Sequence, residues 1–147
     1  EQMLPTIRSR TQIFQFKKQV ESLRNKLEQA GLVKNKARLL AEFSQSQAEA
    51  EKLTNQTSFW TLVEESERFY SWLENGKKES YLQVAKLASL ADDKEKQDQV
   101  FRILEVLAGQ EIQKNTARTI LQNLLEARKM WKANVSFQNS LEYLVLQ

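Results

Sequence analysis

Apolar side chains recur along most of the chain at intervals of three and four residues, the period of an amphipathic α-helix. The clearest stripe consists of Phe59, Leu62, Val63, Ser66, Phe69, Tyr70 and Leu73. It predicts a helix with one wide buried face that ends at Gly76, where glycine can adopt the left-handed conformation. An earlier stripe predicts a first helix over residues 17–30, ending before Gly31.

The same spacing predicts several shorter helices. Ser46 and Ser136 are placed to cap two of them, because a serine hydroxyl can accept from the free N–H groups of a first turn. Gly109 is expected to end another. The predicted ranges are residues 33–44, a short helix after Ser46, and residues 81–91, 100–108, 117–131 and 136–146.

The first sixteen residues have a different pattern. Pro5 restricts Leu4 to an extended or turn conformation, and two short apolar runs flank a polar stretch. This pattern predicts an extended segment over residues 1–16. A polar run, residues 54–58, favours a boundary further along the chain, so we expect a helical unit over 17–57 and a second over 58–147. The predicted fold class is all-α.

Composition narrows the possible chemistry. The 147 residues include no Cys and no His, which excludes thiol nucleophiles, disulfides, zinc thiolate sites and a Ser-His-Asp triad. Net charge is 22 − 19 = +3, a weak preference for acidic partners. No apolar run is long enough for a membrane span, and we expect a cytoplasmic protein. Because the chain begins Glu-Gln-Met, we interpret it as a piece of a longer protein.

Carboxylates are the remaining metal-ligand candidates. Glu64, Glu65 and Glu67 are close in sequence, but adjacent residues point to different parts of a helix surface. Asp92 and Asp93 are better explained as a helix cap. Three scattered glycines cannot form a phosphate-binding loop, so we expect no nucleotide, cofactor or metal site in this chain.

Two further residue sets have an ordinary structural explanation. The aromatic residues lie at helical spacing without interleaved basic residues, which favours core packing over base stacking. Trp60 and Trp72 fall off the main stripe of their helix and could face a neighbouring subunit. The basic residues of the first two helices are expected to be solvated rather than bound to DNA: Lys17, Lys18, Arg24, Lys26, Lys34, Lys36 and Arg38.

One short motif resembles a known family. Residues 4–12 read Leu-Pro-Thr-Ile-Arg-Ser-Arg-Thr-Gln, similar to the Leu-Pro-Thr-Ile-x-Ser-Arg-Cys-Gln segment of bacterial clamp-loader subunits. The resemblance implies that Arg10, preceded by Ser9, is an arginine finger that stabilises the phosphoryl group of a neighbour's ATP. Thr11 replaces the usual Cys of the family.

Two other regions agree with this resemblance. Residues 125–128 and 134–144 are similar to the closing two helices of the same subunits, which read Arg, then Asn-Val-Asn, then Leu-Glu-x-Leu-Leu. Residues 41–50 resemble the turn and helix where ATP-binding members place a phosphate-sensing arginine. Glu49 stands there in this chain, and a carboxylate would repel phosphate. The resemblance therefore favours the non-ATPase delta-prime type.

The resemblance implies a role in DNA replication within the DNA polymerase III holoenzyme, a nucleotidyltransferase. Residues 1–16 would be a remnant of the AAA+ core, residues 17–57 the helical lid and residues 58–147 the collar. The partners would be the gamma/tau and delta subunits, with the sliding clamp and primed DNA reached through the complex. ATP and Mg would be held by neighbouring subunits. Trp60, Trp72 and Trp131 are candidate interface residues.

Two alternatives stay open. The chain could belong to the gamma or tau ATPase, which a glycine-rich phosphate loop upstream of Glu1 would indicate. It could also be a free-standing helical adaptor without a link to replication, in which the match over residues 4–12 is due to chance.

Overall fold

The computed structural model describes the backbone of residues 5–147 and the side chains of residue 12 and residues 15–147. Every regular element in that range is an α-helix, which confirms the all-α prediction. None of these helices is long and apolar enough to cross a membrane. In chain order they are α1 (Pro5–Gln29), α2 (Lys34–Phe43), α3 (Gln47–Thr54), α4 (Thr57–Glu74), α5 (Ser80–Leu90), α6 (Lys94–Gln110), α7 (Asn115–Lys132) and α8 (Phe137–Leu146).

The expected extended segment over residues 1–16 is wrong from Pro5 onward, because α1 already begins there. Proline restricts the residue before it, but it fits the first turn of a helix, where its missing N–H would have had no partner. The proline that indicates a turn therefore also suits a helix start. Residues 1–4 lie outside the described residues.

The chain divides into two compact units, Glu1–Asn55 and Gln56–Gln147. The boundary expected after residue 57 falls inside the first turn of α4, since Thr57 is already helical. In the first unit, α2 packs against both α1 and α3. Its apolar face is completely buried at Ala37 and Leu40, and Ala50 of α3 is buried as well.

The second unit is a bundle of five helices that closes on itself. Helix α4 packs against α5 and α6, α5 against α8, α8 against α7, and α7 against α6. Helix α4 also contacts α7 across this ring of neighbours. The interior is filled by large side chains with under 2% exposure: Phe59, Phe69, Phe101, Leu87, Ile103, Leu104, Leu124 and Leu141.

Helix starts follow the predicted capping chemistry. The Ser46 hydroxyl accepts a hydrogen bond from the Glu49 N–H at 3.1 Å, and the Ser136 hydroxyl accepts from the Asn139 N–H at the same distance. Asp93 caps α6 by accepting from the Lys96 N–H at 2.8 Å. Each side-chain oxygen pairs an N–H that the first turn leaves free, and this confirms the prediction for these three residues.

Helix ends confirm two of the three glycine predictions. Gly31 and Gly76 have φ values of 103° and 64°, the left-handed conformation that ends a helix. Asn134 does the same after α7, with φ of 71°. The prediction that Gly109 ends its helix is wrong, because α6 continues through it to Gln110. Glycine is tolerated inside a helix at a cost of about 1 kcal/mol, and packing of α6 outweighs that preference.

Adjacent leucines in α7 provide a test of this core. Leu124 is completely buried, whereas Leu125 is 50% exposed. We expect Leu124→Ala to lower the free energy of unfolding by about 2–5 kcal/mol, because it leaves a cavity in the second unit. Leu125→Ala should change it by less than about 1 kcal/mol. Urea unfolding followed by circular dichroism measures both, and equal losses would contradict the assigned face of α7.

Candidate subunit interface

The residues of the arginine-finger motif lie in α1. The backbone at Ser9 and Arg10 is helical, and their side chains lie outside the described residues. The arginine-finger role of Arg10 therefore stays a prediction from the sequence.

The structure gives Glu49 a local role at the start of α3. Its carboxylate Oε1 accepts a hydrogen bond from the backbone N–H of Gln45 at 2.9 Å, while its own N–H donates to the Ser46 hydroxyl. This reciprocal arrangement resembles a capping box. A carboxylate is also favourable near the positive end of a helix, so Glu49 stabilises the start of α3.

An open groove of about 510 Å³ lies where α4 ends, α5 begins and α8 ends. The α4 side contributes Trp72 and Leu73, the α5 side Tyr81, and the α8 side Val145 and Leu146. We call this site the α4–α5–α8 groove. Apolar side chains from three helices meet at the surface there.

The turn between α4 and α5 shapes this groove. After Gly76 the Lys77 N–H donates to the Trp72 carbonyl at 2.9 Å, which closes the end of α4. The buried Ser80 hydroxyl then donates to the Lys77 carbonyl at 2.8 Å and fixes the start of α5. The turn also places two exposed lysines, Lys77 and Lys78, on the edge of the groove.

Large apolar side chains are exposed at the groove. Leu146 is 72% exposed, and Tyr81 is 47% exposed. Leu82, next to Tyr81 in the chain, is 74% exposed. Helical periodicity alone does not single out these residues. The available signal was consecutive apolar residues at a helix end, as in Leu144-Val145-Leu146, because a helix cannot turn three neighbours toward one core.

Of the three tryptophans, Trp72 is the one that lines the groove, and it is half-buried. Trp60 is half-buried, with its ring edge-on to Phe59 at a centroid distance of 5.1 Å. Trp131 packs within the bundle, where its indole N–H donates to Gln97 Oε1 at 2.9 Å. The interface role predicted for each of them stays a prediction, and the structure links only Trp72 to the groove.

A partly buried ion-pair cluster joins α7 to α6. Arg128 donates to both carboxylate oxygens of Glu105 at 2.9 Å and to Asp98 Oδ1 at 2.6 Å. Its guanidinium also lies 5.3 Å from the centroid of the Phe101 ring. Burial alone would lower the pKa of Arg128, but these carboxylates raise it, so the side chain stays charged.

A second buried carboxylate joins α4 to α5. Glu65 is buried and its backbone carbonyl accepts from Gln83 Nε2 at 3.1 Å, while Lys86 Nζ lies 3.1 Å from its Oε1. Burial acts to raise the pKa of Glu65, but the bonds from Gln83 and Lys86 and the nearby Arg68 charge lower it overall. Its neighbours Glu64 and Glu67 are exposed.

The described residues contain no group of three or more acidic, His or Cys side chains placed to hold a metal ion. The two aspartates considered above have structural roles. Asp93 caps α6, as predicted, and Asp92 pairs with Lys96 at 3.0 Å instead of capping.

The basic residues of α1 and α2 that the structure describes are mostly exposed. Arg38 pairs with Glu42 at 3.1 Å, one turn away, and Lys26 donates to Gln47 of α3 at 3.3 Å. The Arg38 pair is local, as expected for a solvated helix face, whereas the Lys26 contact is an exposed bond between α1 and α3.

Comparison of the chain with models of protein families, with curated proteins and with solved structures finds no match.

The Arg128 cluster generates a prediction with a matched control. Arg128→Ala removes the partner of the partly buried Glu105 and one of the two cationic partners of Asp98, and should destabilise the chain by about 1–3 kcal/mol. The neighbouring Lys129 forms an exposed pair with Glu126 at 3.3 Å, so Lys129→Ala should cost less than about 1 kcal/mol. Urea unfolding of both variants is the measurement, and equal effects would mean that the cluster adds no stability.

Proposed function

We propose that this chain is part of a non-ATPase clamp-loader subunit of the delta-prime type. In this role residues 56–147 form a collar domain that packs against the gamma/tau and delta subunits, and Arg10 acts at the ATP of a neighbour. The observation that carries the proposal is the α4–α5–α8 groove, an unpartnered apolar site on an otherwise closed helical bundle. The motif at residues 4–12 supports it independently.

The groove suits a protein partner better than a small molecule. It is open, and its apolar side chains come from helix ends rather than from an enclosed cavity. Aromatic residues such as Trp72 and Tyr81 are enriched at the energetic centres of protein interfaces. The occupant proposed here is a helix of the neighbouring collar domain, with acidic residues that face Lys77 and Lys78.

In the proposed role the neighbouring subunits bind ATP and Mg, and this chain contributes a single guanidinium in trans. Glu49 supports this view, because its carboxylate caps α3 at the position where an ATP-binding relative would place an arginine.

A ring-assembly role predicts that the groove is needed for binding. Leu146→Asp places a charge at an exposed position in the groove, so we expect the fold to persist and the affinity for the gamma/tau and delta subunits to fall at least tenfold, about 1.4 kcal/mol. Leu125→Asp is the control, because it changes an exposed leucine outside the groove.

Gel filtration and calorimetric titration of the full-length subunit with the purified partners provide the readout. Wild-type assembly by Leu146→Asp would contradict the proposed interface. A wild-type chain that stays monomeric beside these subunits would instead favour the free-standing adaptor.

The arginine-finger role predicts a loss of ATP hydrolysis. Arg10→Ala in the full-length subunit should reduce hydrolysis at the neighbouring site by about 10³-fold, because that charge would no longer stabilise the transferring phosphoryl group. Arg8→Ala removes a charge from the same segment and should leave hydrolysis unchanged. The assay is the clamp-stimulated ATPase of reconstituted loader, and normal activity of Arg10→Ala would refute the role.

A further inference from the structure

Two glutamates come together where α4 and α6, which pack against each other, end. Glu74 is the last residue of α4, and Glu111 follows the last residue of α6. Tyr70, one turn before Glu74, is only 6% exposed. Lys114, at the start of α7, lies 3.3 Å from Glu111 Oε1. All four side chains belong to the second unit.

Three oxygen atoms of this cluster are buried without a regular hydrogen-bond partner among the described residues. They are Tyr70 Oη, Glu74 Oε2 and Glu111 Oε2. Such atoms are rare in folded proteins because each would forfeit its bond to water. The negative ends of two helix dipoles also lie here, which disfavours two full negative charges. The donors beside Glu111 are Lys114 and the Tyr70 hydroxyl, which leaves Glu74 Oε2 in need of one.

We propose that Glu74 and Glu111 share one proton, forming a carboxyl–carboxylate pair that fastens the end of α4 to the turn between α6 and α7. The proton lies between the two Oε2 atoms, so that one carboxyl donates and the other accepts. Bonds of this kind, from a hydroxyl to an ionised oxygen, are among the stronger ones in proteins. The pair then carries one negative charge, which Lys114 balances. This inference does not depend on the proposed clamp-loader role.

A proton fits this site better than a metal ion. Calcium takes six to eight oxygen ligands and magnesium about six, whereas this site offers two carboxylates and a phenol. The three orphaned oxygen atoms are also closed off from solvent, which leaves them little access to the water that would complete a coordination shell.

The directions of the pKa shifts of Glu74, Glu111 and Tyr70 agree with a shared proton. The hydrogen bond with Glu111, burial and the Glu111 charge raise the pKa of Glu74, and Lys114 opposes them. The bond with Glu74 lowers the pKa of Glu111, with help from Lys114 and Tyr70. Burial raises the pKa of Tyr70, and the charges of the two glutamates raise it further. The Tyr70 hydroxyl therefore stays protonated. The pair titrates as one unit, losing its first proton below the ordinary glutamate range and its second above it.

The shared proton makes the stability of the second unit depend on pH. Glu74 has a raised pKa in the folded chain, so its contribution is fully present below the ordinary value of 4.5 and is lost as the pH rises through the raised value. Over that interval the unfolding equilibrium constant should rise by up to about tenfold per pH unit. The junction of α4 with the α6–α7 turn therefore weakens toward neutral pH.

Urea unfolding of the whole chain between pH 4.5 and pH 8 tests the proposal. Wild-type stability should fall with pH, and Glu74→Gln should abolish this fall, because its amide donates to Glu111 at every pH. Glu126→Gln, at an exposed glutamate of α7, should follow the wild type. A Glu74→Gln profile that parallels the wild type would overturn the shared proton.

A second measurement uses the wild-type chain and does not depend on whether Glu74→Gln folds. In the wild-type chain, carbon-13 NMR of the carboxyl groups should show two separated titration midpoints for the pair, on either side of the ordinary value. A single ordinary midpoint for both glutamates would overturn the proposal. Saturable stabilisation by Ca²⁺ or Mn²⁺ at pH 7.5 that Glu74→Gln lacks would also overturn it, in favour of a cation site.

Discussion

The second unit depends on the packing around Phe101. This ring is completely buried in α6, with Trp131 of α7 at a centroid distance of 5.4 Å and Phe137 of α8 at 5.6 Å. Arg128 lies over the same ring. One aromatic side chain therefore joins three helices. Helix α4 packs against α6 and α5 packs against α8, so the two remaining helices of the unit pack against the three that Phe101 joins.

Around this apolar centre the polar residues have a consistent role. Arg128 with Glu105 joins α7 to α6, and Glu65 with Gln83 joins α4 to α5. Burial alone would disfavour the charged forms of Arg128 and Glu65, and in each contact the hydrogen-bond partner stabilises the charged form. These bonds add directional contacts to packing that hydrophobic burial leaves non-directional, and so they fix how the helices are rotated against one another.

The closed packing of the five helices also explains why some apolar side chains stay exposed. Five helices that close on themselves bury one stripe each, and several of the exposed apolar residues beyond those stripes, such as Tyr81 and Leu146, lie at helix ends. At the α4–α5–α8 groove they stand beside two lysines, Lys77 and Lys78, whereas at the ends of α4 and α6 two carboxylates meet instead. The groove exposes apolar side chains at the surface, whereas the glutamate cluster holds buried oxygen atoms beside Lys114. Both features arise at helix ends, where packing constrains side chains least.

The sequence by itself determined the helical class, most helix positions and several of the caps. Serine, aspartate and glycine act within one turn of the backbone, so Ser46, Asp93 and Gly76 could be recognised locally. The predictions at Pro5 and Gly109 were wrong. Proline suits both a turn and the first turn of a helix, and glycine is found both at the end of a helix and inside one. Only the tertiary structure brought Trp72 together with Leu146, and Glu74 with Glu111. These residues are far apart in the chain, and their proximity follows from which helices pack together, a choice that helical periodicity alone leaves open.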